Sequence, residues 1–246
     1  GFDSRIPGTL IEREYHTRSE GEANYLYVLE RCVPVRDIRE HYPLLPLDET
    51  VAIAEALGVP HAQDPDTGLY RVMTTDFLVT VLEGVTLRMR ARAATPSHTL
   101  GQPGVQARLE IERRYWAHRQ VDWGIVTAHD VPPVMVANVK YLRAYVAERS
   151  LRVGTSDGGT QPLSPSVIQR ITTVLTPEIL RGVVALNVLT EECDDRLGQA
   201  PGVSLMVARH LLGQRLWPVD FTRPIVAWDP VPLVASRLPQ EEGGVQ

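Results

Sequence analysis

The stretches TTDFLV (Thr74–Val79), LRMRARA (Leu87–Ala93) and LEIERRYW (Leu109–Trp116) decide the fold of this chain. Leu69–Val81 and Val85–Ala93 are apolar runs on either side of Leu82–Gly84, which predicts a β-hairpin. Asp76 stands at the beginning of the first strand, on the face opposite Phe77. On the returning strand Arg88, Arg90 and Arg92 alternate with Leu87, Met89 and Ala91, so the three guanidiniums share one face. That face is no apolar core. It meets solvent or a polyanion, and the guanidinium fork matches phosphate oxygens two at a time. Val105–Gln120 follows as a helix with Val105, Leu109 and Trp116 on one stripe, and Val121–Thr127 as a short buried strand. A hairpin, a helix and a further strand make an α/β core.

Working outward, Gly1–Arg18 is polar and reads as irregular, while Ser19–Arg31 is a helix capped by Ser19 with acids in its first turn. Val33–Leu47 is punctuated by proline and extended; Leu47–Leu57 is a second helix opened by Asp48. Gly58–Gly68 is a loop, and Val134–Arg149 another helix. Leu151–Ser166 is rich in Gly, Ser, Thr and Pro and marks a boundary, so the expected organisation is an α/β domain over 1–150, a linker over 151–163 and a second domain over 164–246. Within the last, helices are expected at Ser166–Leu175, Pro177–Asp194 and Val203–Gly213, then a small β-wing at Leu216–Val226. Three helices and a wing form the winged-helix plan. Leu238–Gln246 is a polar tail expected to be disordered.

At 246 residues there is length for one large or two small domains, and the longest apolar runs fall well short of the roughly 20 residues that span a bilayer. Gly1–Gly8 carries no secretion-signal pattern, and the missing first Met reads as a trimmed start. Cys32 and Cys193 are too few for a disulfide framework or a zinc cluster, which points to a reducing, cytoplasmic setting. The net charge is −5, yet Thr86–Gln120 holds seven arginines (Arg88, Arg90, Arg92, Arg108, Arg113, Arg114, Arg119) against Glu110 and Glu112, a local charge of +5. Such a field suits phosphates; the alternative is a solvated helix face beside an arginine-protected edge strand.

Metal-assisted hydrolysis of a phosphodiester needs oxygens that hold Mg²⁺ or Mn²⁺ and a group that orients water. Asp76 is one candidate oxygen donor, though a lone Asp at a strand start also serves as an edge cap. Glu20 and Glu22 offer a second carboxylate, or simply complement the positive end of the first helix. The seven histidines are scattered without metal-ligand spacing. No G-x-S-x-G, Walker or dinucleotide-binding glycine pattern occurs, so serine hydrolase and nucleotide-binding chemistry have no anchor.

The motifs DIREHYPLLP (Asp37–Pro46), AIAEALGVPH (Ala52–His61), TTDFLV, LEIERRYW and VSLMVARHLL (Val203–Leu212) together resemble the TnsA family, the endonuclease subunit of heteromeric cut-and-paste transposases. The similarity runs from about His16 to Arg223. It implies a restriction-endonuclease-like core followed by an α-helical winged-helix-type carboxyl-terminal domain. In that family a Glu of the first helix, the Asp of the TDF motif and a Gln-x-Lys pair on the next strand form the site, which nicks transposon 5′ ends with two divalent ions. The resemblance places Glu22 and Asp76 as metal ligands and puts Arg90 and Arg92 where Gln and Lys stand. Arg88, Arg90, Arg113 and Arg114 become the expected DNA contacts. The implied partners are double-stranded transposon-end DNA, a DDE-type (TnsB-like) transposase and an AAA+ (TnsC-like) regulator docking on the carboxyl-terminal domain, in a bacterial cytoplasm and on the nucleoid when assembled. Because arginine does not deprotonate and a cation repels metal ions, a scaffold of the same fold without cleavage is the competing expectation. A winged-helix DNA-binding protein with an accessory α/β domain is the third.

Overall fold

A computed structural model describes residues 3–11, 13–146, 151–155 and 158–234. The amino-terminal stretch, expected to be irregular, pairs with itself: β1 (Ser4–Pro7) runs antiparallel to β2 (Glu14–Thr17). Their buried Ile6 and Tyr15 supply the reason, packing against α1 (Glu20–Leu29) through Ala23, Leu26 and Leu29. Ser19 caps α1 by accepting from the Glu22 N–H at 3.1 Å. Next come β3 (Val35–Pro43), α2 (Leu47–Leu57), β4 (Thr74–Glu83), β5 (Thr86–Ala94), α3 (Pro103–His118) and β6 (Asp122–Val126). The extended Val33–Leu47 run is thus a full strand.

These four strands form one sheet in the order β3-β4-β5-β6, antiparallel across the first three and parallel between β5 and β6, with α3 as the crossover. Alternation along β4 sorts two cores. Phe77, Val79 and Val81 pack with Ile38 and α1, whereas Leu78 and Ala91 pack with Ile53 of α2 and with Ile111, Tyr115 and Trp116 of α3. The α/β core read from the hairpin and its helix is therefore a mixed sheet covered on both faces.

The chain divides into two compact units, Gly1–Pro132 and Pro133–Gln246. The division precedes the expected boundary at 151–163 because α4 (Pro133–Val146) packs with the second unit. It buries Val136, Val139 and Leu142 and approaches α7 (Val203–Gly213) so closely that a Cβ on Gly213 would stand 2.8 Å from Val146 Cγ2. The expected linker includes a ribbon of β7 (Arg152–Gly154) and β8 (Thr160–Pro162). Instead of two helices meeting at Pro177, α5 (Pro165–Arg181) runs straight through that proline, followed by α6 (Leu186–Leu197). The buried stripe Ile171, Leu175 and Ile179 continues across the missing N–H and holds α5 together. Leu216–Val226 contains turns and one bridge residue, Val219, instead of a wing: Pro218 and Pro224 remove ladder donors, and no strand pair forms there among the described residues. Nor is α7 shaped for a DNA groove, since none of its residues is exposed. The tail Leu238–Gln246 lies outside the described residues, as does the end of the helix expected at Val134–Arg149.

One side chain ties the second unit together. Asn138 of α4 donates to the carbonyls of Phe221 (2.9 Å) and Arg223 (2.7 Å) and accepts from the Ile225 N–H (3.0 Å). Asn138→Leu keeps the volume and abandons three buried backbone groups, so we expect a loss of about 3 kcal/mol in chemical denaturation. A loss under about 0.5 kcal/mol would mean these groups find other partners.

Candidate active site

Asp76 sits near the start of β4, intermediate in exposure, and its Oδ2 accepts the Ala94 N–H at 2.8 Å. Burial, and then the nearby Glu22 charge, push its carboxyl up to about 6. Arg108 and Arg18 pull the other way. Glu22 is buried at the start of α1, where the Arg18 N–H donates to its Oε2 at 2.8 Å and Ser19 Oγ to its Oε1 at 3.2 Å. Helix capping, the plain reading of Glu22, and proximity to Asp76 therefore coexist: the cap aims the carboxylate. His41, with φ 48° in the left-handed region, places Nε2 3.5 Å from Glu22 Oε2. Burial holds this imidazole below its usual range, with Arg18 adding to the effect.

A third carboxyl, Glu112 of α3, completes the group, and sequence reasoning missed it. Counted there only as one acid among arginines, it is fully buried. Its Oε1 accepts from Thr75 Oγ1, the residue before Asp76, and Thr75 in turn accepts from Trp116 Nε1 at 3.1 Å. The other oxygen, Oε2, lacks a hydrogen bond of normal geometry and lies 3.8 Å from Arg108 Nη1. The indole N–H of Trp123 beside it is equally unsatisfied. Burial pushes Glu112 up to about 8; the Trp123 indole N–H and Arg108 pull it down, and the Asp76 charge adds to the rise. The available signal was position: Glu112 falls among the apolar residues Leu109, Ile111, Tyr115 and Trp116, where an unpaired acid costs most.

Arg90 and Arg92 of β5 are engaged by acids outside this group. Register places Arg92 opposite Phe77 and Arg90 opposite Val79, on the α1 side of the sheet. Alternation breaks at Asp76, because Thr75 bonds to Glu112 and Trp116 on the α3 side whereas Phe77 packs towards α1. Arg90 pairs with Glu83 at 2.6 Å, and Arg92 with Asp122 at 2.6 Å. Arg113 and Arg114 share Glu110 at 2.7 and 2.9 Å, and Arg119 pairs with Glu49 at 2.6 Å. Most of the +5 field is thus neutralised, largely by acids outside the counted segment. Arg88, at the exposed end of the hairpin, stands opposite Val81 and remote in register from Asp76.

Glu22, Asp76 and the open oxygen of Glu112 have the chemistry of a hard-cation site: oxygen donors, crowded negative charge and an unsatisfied acceptor. Among the described residues, however, no three His, Cys, Asp or Glu side chains are gathered closely enough to hold an ion as they stand. None of the described helices is long and apolar enough to cross a membrane.

Residues 33–128 match the family described as TnsA-like endonuclease N terminal, a span that includes Asp76 and Glu112 and begins after Glu22. The chain is also similar to the Transposon Tn7 transposition protein TnsA of Escherichia coli, with 35% identity over 148 residues covering 60% of this chain and 53% of that protein. It spans about half the length of the curated relative it matches. The matched domain and this relative together make residues 33–128 similar to the TnsA-like endonuclease amino-terminal domain.

Proposed function

We propose that the chain is the DNA endonuclease subunit of a heteromeric transposase, nicking the 5′ strands at transposon ends with Mg²⁺ or Mn²⁺. The juxtaposition of Asp76 with Glu22 carries the reading, because a carboxyl whose ionisation is opposed by burial and by a neighbouring carboxylate gains from a cation between the two. Glu22 and Asp76 would hold the ion. Mg²⁺ is commonly held by one or two carboxylates plus water and phosphate oxygens, so this set suits one ion better than two. The ion would supply Lewis-acid polarisation of the scissile phosphate and its attacking water. Capping by Ser19 and the Arg18 N–H fixes the Glu22 carboxylate, and the Ala94 N–H fixes that of Asp76. Partners on this reading are transposon-end DNA, a DDE-type transposase and an AAA+ regulator that docks on the second unit.

A catalytically silent scaffold of the same fold is favoured by one observation: Arg90 and Arg92 are held in short ion pairs with Glu83 and Asp122. Purified chain with its transposase partner and end-bearing duplex decides between the two. Nicks on the 5′ strand in Mg²⁺ or Mn²⁺ are the expected result. Intact strands in both metals, with the partner cutting the opposite strand normally, would leave the scaffold.

A further inference from the structure

With Arg90 and Arg92 of β5 held in short ion pairs, the site needs a cation with free donors from another element. Seven arginines lie between Thr86 and Gln120. Five of them, Arg90, Arg92, Arg113, Arg114 and Arg119, make carboxylate pairs between 2.6 and 2.9 Å. Arg88 is remote in register. Arg108 differs from all of these. It sits one turn before Glu112 on α3, and its nearest acceptors are Thr95 Oγ1 at 3.4 Å and Glu112 Oε2 at 3.8 Å. Most of its donor capacity is uncommitted, and its side chain is 39% exposed. It therefore reaches both the buried carboxyl group and solvent, where a phosphate would arrive.

We propose that Arg108 is the phosphate-binding residue of this site, so that α3 supplies the cation that β5 does not. The inference rests on the endonuclease reading for its location, but phosphate contact is measurable without cleavage. Guanidinium donors at about 3 Å from a phosphate make charge-assisted, two-pronged hydrogen bonds. Glu112 keeps Arg108 near the site through a long contact that a phosphate can compete with, unlike the short pairs that hold Arg90 and Arg92.

The test measures binding of the full chain, in EDTA, to a fluorescent transposon-end duplex and to a random duplex of equal length across a salt series. Arg108→Gln should weaken both about tenfold at low salt and flatten the slope of log affinity against log salt by about one contact. Arg108→Lys should restore the slope, and Arg92→Gln should leave it unchanged. Thermal melts verify folding, and the Lys variant keeps the Glu112 contact if the Gln variant fails to fold. An unchanged slope in Arg108→Gln, a loss confined to one duplex, or an Arg108→Lys variant as weak as Gln would each overturn the proposal. Failure to nick with a normal Arg108 salt effect would instead count against the endonuclease reading alone.

Discussion

Asp76→Asn should stop nicking and stabilise the metal-free protein at once. Asparagine retains an oxygen for the Ala94 N–H and the same volume, so the packing of β4 survives. It loses the anionic oxygen that would hold the cation. Changes in groups that only support metal ligands typically lower activity 10–100-fold, so losing a ligand should exceed about 100-fold. Stability moves the other way because the folded carboxyl titrates near 6 against an ordinary 3.8, chiefly through burial and then through Glu22. A folded pKa above the unfolded one gives stability that is full below about 3.8 and lost as pH rises through about 6. Over that window the wild type should lose up to about 3 kcal/mol in EDTA, whereas Asn does not titrate. Urea melts at pH 5 and pH 8 measure the difference; equal pH dependence in the two proteins would remove the buried charge from Asp76.

The hairpin TTDFLV–LRMRARA was legible because its apolar runs, turn and alternating arginines all obey one period of two. Alternation also correctly predicted that Arg88, Arg90 and Arg92 share a face. Which face they share depends on the β4–β5 register, and one step of register exchanges Arg90 and Arg92 for Ala91 and Ala93. Their ion partners lay outside the segment whose charge was summed: Glu83 before it, Asp122 after it, and Glu49 on α2 for Arg119. Local charge counts cannot see such closures. Glu22 and Asp76 could be named from motifs, but Glu112 sat in a helix rich in charges and looked like another solvated acid. Its full burial accompanies a tertiary arrangement, with Thr75 bridging Glu112 and Trp116 and with Trp123 beside the carboxyl.

Boundaries failed for a related reason. Gly, Ser and Pro density in Leu151–Ser166 marks the ribbon of β7 and β8, while the division falls at a Pro-Pro pair that introduces α4. Long-range bonds from Asn138 to residues 221–225 assign α4 to the second unit, and nothing within Val134–Arg149 announces them. The proline in α5 misled in the opposite direction. Pro177 is a common helix starter, but a stripe already buried on both sides overrides the local preference.

The second large effect is a pH-dependent response to metal set by Glu112. Burial first, and the neighbouring Asp76 charge after the opposing Trp123 indole, bring its folded pKa to about 8 against an ordinary 4.5. The folded chain therefore keeps a proton that the unfolded chain releases, so stability is full below about 4.5 and falls as pH rises through about 8. The fall has a ceiling of about 5 kcal/mol, because part of the shift is shared with Asp76 and vanishes when either is neutral. A divalent cation held at the site would replace that proton. At pH 6 it would have to displace the proton from nearly every Glu112; at pH 8, close to the folded pKa, only about half still carry it and there is more repulsion to relieve. Millimolar Mn²⁺ should accordingly raise the melting temperature more at pH 8 than at pH 6. In Glu112→Gln the metal-free melting temperature should decline less with pH, and the Mn²⁺ response should become nearly the same at both. The same Mn²⁺ increment at pH 6 and pH 8 in the wild type would take Glu112 out of the cation site and leave Glu22 and Asp76 to hold the ion alone.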